Sequence, residues 1–176
     1  EIGMRISTPF TALFILAFIA GIGGLAVNAN ANANGNPLDP YQWQNRVLVV
    51  FYDAGNDRRE IAVAPRWNLE KTAYARYEDG IKDRDMLVLF VAGQLVDPLM
   101  FDNQGLDQGS LPKAQALRNT YMPEFEESQI YTSVLVGKDG GEKKRWNKLA
   151  PMEEVFTIID GMPMRQQEMH KSSSNK

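Results

Sequence analysis

Two long apolar runs dominate the pattern of hydrophobic and polar positions along this chain. They are Arg46–Tyr52 (RVLVVFY) and Met86–Ala92 (MLVLFVA), and both lack the alternation of a half-exposed strand. A run of this length that is rich in Val and bounded by polar residues predicts a β-strand buried on both faces. Strands of this kind lie at the centre of a sheet that helices cover on both sides.

The stretch between the two runs is charged and predicts a helical connection. Apolar residues recur in it at spacings of four, the repeat of one helix face, and they are Leu69, Ala73, Tyr77 and Ile81. Pro65 breaks any helix that begins earlier, because proline lacks the amide hydrogen that a helix interior needs. A strand, a helix and a second strand in this order predict a parallel pair of strands.

After the second strand, the pattern predicts a helix and then a hairpin. The inner face of this helix carries Ala114, Leu117 and Tyr121 at helical spacing. Residues Ile130–Val136 form the predicted third strand, and the charged segment Glu142–Trp146 forms a fourth strand at an edge of the sheet. The Asp-Gly pair between them suits a tight turn, because both residues tolerate positive φ.

A last helix completes the predicted domain. It begins after Pro151 and repeats Met152, Val155, Phe156 and Ile159 on one face. The resulting order, β-α-β-α-β-β-α, is that of an α/β thioredoxin-like domain. We therefore expect a four-stranded mixed sheet with helices on both faces.

The N-terminal segment predicts an export signal. An apolar run from Phe10 to Val27 follows Arg5 and precedes small residues that offer two A-x-A cleavage motifs. The alternative is a retained membrane anchor, because about 18 apolar residues approach the length that spans a bilayer. We expect residues 1–33 to be a cleaved signal peptide, 34–40 a linker, 41–167 the thioredoxin-like domain and 168–176 a disordered tail.

Composition excludes several classes of chemistry. The 176 residues include no Cys and a single His, His170, which rules out thiol nucleophiles, disulfides, thiolate-bound metals and multi-histidine metal sites. Lys and Arg number 19 against 22 Asp and Glu, a net charge of −3, and no basic cluster outside Lys143–Arg145 suggests nucleic-acid binding. We expect a periplasmic or secreted protein without metal or cofactor.

Asp53 and Asp57 form the first group of candidate ligand-binding residues. They follow the first strand, which is where thioredoxin-fold oxidoreductases carry a reactive thiol at a helix N-terminus. No thiol is present in this chain. The two carboxylates either cap a short helix that begins at Asp57 or form an acidic rim that binds a ligand.

Lys138, Asp139, Arg145 and Arg165 form the second group of candidates. They lie in the hairpin, in the strand after it and beyond the last helix. If they converge, they form a small anion-binding patch in which arginine offers bidentate hydrogen bonds. The alternative is a hairpin turn with the charges that protect an edge strand, and with Arg165 in a structural ion pair with Asp160.

Other residues are weighed as calcium ligands or as core residues. Side-chain oxygens between the second strand and the next helix could bind calcium, but their spacing does not match a known loop, and we favour a solvated loop; they belong to Asp97, Asp102, Asn103 and Asp107. Aromatic and sulfur-containing side chains are predicted to pack in the core; they belong to Tyr41, Trp43, Met152, Met162 and Met164.

Several segments together resemble a bacterial domain-of-unknown-function family, also called P-DUDES. They are Trp43–Phe51 (WQNRVLVVF), Arg84-Asp85, Val136–Gly141 (VGKDGG) and Ile159–Arg165 (IDGMPMR), and the resemblance spans Tyr41 to Gln167. It implies a thioredoxin-like fold and relatives in secreted animal matrix proteins, including sushi-repeat proteins. The family brings no settled activity.

These observations favour an exported, cysteine-free binding or structural module that presents its loops to a protein or glycan partner outside the cytoplasm. This interpretation predicts no turnover, no nucleic-acid partner and no membrane contact except through an uncleaved signal segment. One alternative is a cysteine-independent enzyme in which Asp53 or Asp57 meets Arg145 or Arg165 in a pocket. Another is a degenerate relative of a thioredoxin-like or peroxiredoxin-like oxidoreductase.

Cleavage at the small-residue motifs gives a specific mature N-terminus. We expect it at Asn30, Asn32 or Asn34, because an alanine precedes each of these positions at a motif that signal peptidases accept. N-terminal sequencing of the exported protein checks this. Residues 4–28 on the purified exported protein would contradict the prediction.

Overall fold

The computed structural model describes residues 35–52, 65–101, 111–122 and 130–174 of the chain. Within these ranges the strands are β1 (Arg46–Tyr52), β2 (Met86–Ala92), β3 (Leu95–Pro98), β4 (Tyr131–Val136) and β5 (Glu142–Trp146). The α-helices are α1 (Pro65–Ala75), α2 (Glu78–Asp83), α3 (Ala114–Tyr121), α4 (Met152–Asp160) and α5 (Pro163–Ser174). A short 3-10 helix, Asp39–Tyr41, precedes β1.

The strands form one mixed sheet in the order β3-β2-β1-β4-β5. β1 and β2 are parallel, whereas β4 is antiparallel to β1 and β5 is antiparallel to β4. This arrangement confirms the predicted thioredoxin-like domain, with a parallel pair followed by a hairpin. The predicted count of four strands differs by one, because β3 adds a short antiparallel strand beside β2. An edge strand tolerates the Asp-Pro end of β3, since only one of its sides is hydrogen-bonded to the sheet.

Helices cover both faces of the sheet, as predicted. Every residue of β1, β2 and β4 is buried, which agrees with the unbroken apolar runs. One face packs against α1, α2 and α4 through Tyr74, Ile81, Met152, Val155 and Ile159. The other face packs against α3 and the 3-10 helix through Leu38, Tyr41, Ala114, Leu117 and Tyr121.

The helical connection between β1 and β2 differs from the prediction in its buried face. Leu69 is 68% exposed and Ala73 is also exposed, while Tyr74 and Ile81 are buried. The connection is interrupted between α1 and α2, so a spacing of four does not continue along one face. Two short helices therefore take the place of the single helix with one apolar face that the spacing predicts.

Both ends of the domain are more ordered than the sequence predicts. Within the predicted linker, Leu38 is buried, and the side-chain oxygen of Asn36 accepts a hydrogen bond of 2.8 Å from the Tyr121 hydroxyl. At the other end, α5 extends to Ser174 through most of the predicted disordered tail. No helix in the described ranges has the length and apolar character to cross a bilayer.

The two aromatic residues before β1 have opposite environments. Tyr41 is buried, as predicted, whereas Trp43 is 63% exposed and lies outside the core. The prediction that Trp43 packs in the core is therefore wrong. Its exposure places a large apolar ring at the surface beside the start of β1.

A leucine at the centre of the sheet tests this arrangement. Leu89 of β2 is completely buried, so Leu89→Ala removes contacts on every side and leaves a cavity. We expect a loss of about 3 kcal/mol in the free energy of unfolding, measured by urea denaturation. Leu69→Ala is the matched control and should change it by less than about 0.5 kcal/mol. Equal losses in the two variants would contradict the fold.

Candidate functional site

One end of the sheet collects charged residues from four parts of the chain. Arg46 begins β1, and Arg84 and Asp85 directly precede β2. Because β4 is antiparallel to β1, with Val136 opposite Val47, the hairpin after β4 lies at this same end. We call this end, at which β1 and β2 begin, the N-terminal edge of the sheet. It is opposite to the end at which β1 leads into residues 53–64.

Arg46 is the most deeply buried charge at the N-terminal edge, with 1% of its surface exposed. Its Nη1 donates to the backbone oxygen of Arg84 at 2.8 Å. Its Nη2 lies 3.2 Å and 3.1 Å from the two carboxylate oxygens of Glu168 in α5. A buried guanidinium is tolerated only with such partners, because removing a charge from water is costly.

Lys138 binds the same carboxylate from the hairpin. Its Nζ lies 2.9 Å from Glu168 Oε1 and 2.8 Å from Asp85 Oδ2. Burial alone would raise the pKa of Glu168, but the hydrogen bond from Lys138 and the charges of Arg46 and Lys138 outweigh it and hold this pKa below its usual value. Glu168 is therefore held as a carboxylate between two cations.

Arg165 extends the interactions to α2 and α4. Its Nη1 donates to the backbone oxygen of Asp83 at 2.8 Å, and its Nη2 pairs with the Asp83 carboxylate. Its Nε lies 3.4 Å from Asp160, which confirms the expected ion pair, and Arg84 binds the same carboxylate at 2.6 Å. Burial would raise the pKa of Asp160, but these two guanidinium groups lower it overall.

We call the connected residues the charge network. Four are basic and four are acidic, so their formal charges cancel: Arg46, Arg84, Lys138, Arg165, Asp83, Asp85, Asp160 and Glu168. The network joins β1, the α2–β2 turn, the hairpin, α4 and α5. Each of these elements is thereby fixed at the N-terminal edge.

Two residues at this edge adopt a backbone conformation that favours glycine. Trp43 has φ 65° and Asp85 has φ 47°. The amide of Trp43 donates to the backbone oxygen of Lys138 at 2.6 Å, and the backbone oxygen of Asp85 accepts from the amide of Arg46 at 2.9 Å. Such backbone strain persists only where the surroundings enforce it, and it is often found at functional positions.

A cleft of about 580 Å³ lies beside the network. Arg46 and Lys138 line one part of it, and the junction between α4 and α5 lines another with Met162, Pro163 and Met164. The cleft therefore combines apolar walls with Arg46 and Lys138 and with the ion pair of Asp139 and Lys143. A ligand that carries both an anionic and an apolar group matches this lining.

The structure brings together only part of the predicted anion-binding patch. Lys138 and Arg165 meet at Glu168, where Arg165 Nη1 lies 3.7 Å from Oε2. Asp139 pairs instead with Lys143 at 2.5 Å, and this hydrogen bond lowers the pKa of Asp139. Arg145 is engaged elsewhere, with Glu142 and with the backbone oxygen of Tyr121, both at 2.6 Å.

The remaining candidates fall largely outside the described residues. Asp53 and Asp57 lie there, as do Asp102, Asn103 and Asp107. The fourth calcium candidate is described, and its carboxylate lies 2.6 Å from Lys71 Nζ; it is Asp97. Within the described ranges, no group of three or more His, Asp or Glu side chains is arranged to hold a metal ion.

Sequence reasoning missed five of the eight members of the network: Arg46, Asp83, Arg84, Asp85 and Glu168. Arg46 and Glu168 are 122 positions apart, a separation that no local periodicity reveals. One signal was present, because a charged residue at the first position of an otherwise apolar strand needs a partner if that strand is buried.

Comparisons with known proteins place this chain among domains without an assigned activity. The family model described as Domain of unknown function (DUF4174) matches residues 37–168. A Sushi repeat-containing protein SRPX2 from Xenopus laevis is 22% identical over 154 residues, which cover 86% of this chain and 31% of the relative. The chain thus spans about a third of that relative's length.

Among solved structures, the mitochondrial 2-cys peroxiredoxin from Plasmodium falciparum aligns with 78% of this chain and 83% of its own. The sequence identity is 13% and the TM-score is 0.41.

The network predicts a specific loss of stability in acid. The pKa values of Glu168 and Asp160 are lower in the folded chain than their usual values in an unfolded chain. The stability that these two carboxylates add is therefore complete when the pH is above the usual values. It is lost as the pH falls through the folded values, that is, below about pH 4. At pH 7 we expect Glu168→Gln to reduce the free energy of unfolding by roughly 2 kcal/mol, and this difference should shrink in acid.

Urea denaturation of both proteins between pH 7 and pH 3 measures this difference. Glu154→Gln, an exposed change of equal charge on α4, is the control and should follow the wild type. A Glu168→Gln deficit that stays constant across this pH range would contradict the assignment.

Proposed function

This chain belongs to the DUF4174 family, and from that premise we propose that it is an exported binding or structural module and not an enzyme. Its compartment is the periplasm or the cell exterior, reached through a signal peptide at residues 1–33. Its partner is a protein or glycan outside the cytoplasm. We also propose that it is a bacterial member of the group called P-DUDES. The 22% identity to a Sushi repeat-containing protein supports the assignment to this group, whose resemblance implies relatives of that kind.

The engagement of the charged residues supports a module over an enzyme. The enzyme alternative raised by the sequence joins Asp53 or Asp57 to Arg145 or Arg165 in one pocket. Arg165 is bound by carboxylates from α2 and α4, and Arg145 is bound by Glu142 and by a backbone oxygen. These contacts fix elements of the fold to one another. The two arginines thus act as structural groups.

The exposed ring of Trp43 is the observation that carries the proposed binding surface. A tryptophan that is 63% exposed presents a large apolar area to water, and its backbone is held in the left-handed region by a hydrogen bond to Lys138. Tryptophan is enriched at the centres of protein interfaces, and its ring also stacks on sugar faces. The fold therefore fixes the backbone of Trp43 and exposes its ring at the N-terminal edge.

Replacement of Trp43 tests this surface. The exported domain is immobilised and exposed separately to envelope proteins and to purified envelope polysaccharide from the producing organism. We expect Trp43→Ala to reduce retention of the partner about tenfold, because truncating an aromatic anchor costs 1 kcal/mol or more, about 2 kcal/mol in a hot spot. The two arms distinguish a protein partner from a glycan.

Leu69→Ala removes a similarly exposed apolar side chain on α1 and serves as the control. It should bind as the wild type does. Equal retention by Trp43→Ala and the wild type would refute the assigned surface. Turnover of an envelope component by the purified domain would refute the module.

A further inference from the structure

The last helix is attached to the domain by charge and not by apolar burial. Arg165 is the buried residue of α5, and no α5 residue belongs to either hydrophobic cluster of the described chain. Its contacts with the N-terminal edge run through Arg165 and Glu168. The attachment of α5 therefore depends on ion pairs of Arg165 and Glu168, and another charged group can take the place of one partner in such a pair.

The groups that hold Glu168 form a ready-made carboxylate site. Arg46 Nη2 contacts both of its oxygens, and Lys138 Nζ contacts one of them at 2.9 Å. Arg46 is almost completely buried, and its Nε–H has no hydrogen-bond partner. The two cations come from β1 and from the hairpin, which the sheet fixes independently of α5. The backbone that carries them is therefore held by strand pairing as well as by the contacts with α5.

Space for the rest of a ligand adjoins these cations. The cleft of about 580 Å³ is lined by Arg46 and Lys138 together with Ile158, Met162 and Met164. Met164 is exposed, and methionine side chains adapt to differently shaped apolar groups. When a ligand carboxylate is bound at Arg46 and Lys138, the parts of the ligand next to that carboxylate can therefore contact the apolar surface of the cleft.

We propose that Arg46 and Lys138 bind the carboxylate of an acidic peptide whose apolar neighbours occupy the cleft, and that Glu168 of α5 fills this site in its absence. The charge complementarity is that of the Glu168 contacts themselves, because the incoming carboxylate makes the same hydrogen bonds. Binding displaces the Glu168 side chain and loosens α5. The site is separate from the Trp43 surface, and neither proposal requires the other.

Competition with Glu168 gives the proposal a distinctive test. Two blocked tripeptides, Leu-Glu-Leu and Leu-Gln-Leu, are titrated into the full chain and followed by calorimetry. We expect the Glu peptide to bind, and to bind Glu168→Gln about tenfold more tightly, because that variant lacks the internal competitor. Glu154→Gln carries the same charge change at an exposed position of α4 and should bind as the wild type does.

Lys138→Met in the wild-type background should lower the affinity for the Glu peptide about tenfold, because it removes one of the two cations. Equal affinity for the Gln peptide, or no tightening in Glu168→Gln, would overturn the proposal. If sodium acetate binds as tightly as the Glu peptide, the cleft does not contribute to the affinity. That result would overturn the assigned ligand class.

A second readout covers the case in which Glu168→Gln is poorly folded. The peptide supplies the missing carboxylate, so it should raise the thermal midpoint of this variant more than that of the wild type. Because the chain has no cysteine, a single spin label on Ser173→Cys reports on α5 alone. The Glu peptide should increase its mobility in the wild type, and an unchanged spectrum at saturation would contradict displacement.

Discussion

The buried guanidinium of Arg46 is the constraint on which the organisation of this domain depends. It begins a strand whose seven residues are all buried, so its charge cannot reach bulk water without disrupting the sheet. Glu168 supplies the counter-charge, and that single requirement brings α5 to the N-terminal edge. Lys138, on the hairpin that joins β4 to β5, pairs with the same carboxylate. Arg165 then pairs with Asp83 of α2, and Arg84 pairs with Asp160 of α4. These two ion pairs connect both helices to the network.

A network of this kind contributes more to the arrangement of elements than to net stability. Desolvation of its members opposes their attraction, and well-packed apolar residues could hold the same elements as firmly. What apolar residues would not supply is a defined position for each element and a pair of cations beside a cleft. The same balance makes the loss of one partner costly, because the remaining charge is then buried alone. The proposed peptide site and the architecture thus draw on one set of contacts.

The sequence predicts the sheet well because its signals are local. The unbroken apolar runs, the Asp-Gly turn and the helical spacing of Ala114, Leu117 and Tyr121 all describe residues close in sequence. The structure shows the buried strands, the hairpin and the buried helix face, although only Gly140 of the turn pair has positive φ. The site is less predictable, because Arg46 and Glu168 are joined only by the tertiary fold. The polar composition of residues 168–176 predicts a disordered tail, whereas α5 extends to Ser174, because charge pairs of distant residues leave no periodic pattern. Hydrophobicity alone predicts Trp43 in the core, whereas the structure leaves it 63% exposed, with φ 65°.

A double-mutant cycle between Arg46 and Glu168 measures whether the buried guanidinium depends on the carboxylate of α5. The free energy of unfolding is measured for the wild type, Arg46→Met, Glu168→Gln and the double variant at neutral pH. We expect strong coupling: the double variant should lose at least about 1.5 kcal/mol less than the sum of the two single losses. Losses that add to within about 0.5 kcal/mol would show that the two residues act independently and would contradict the account.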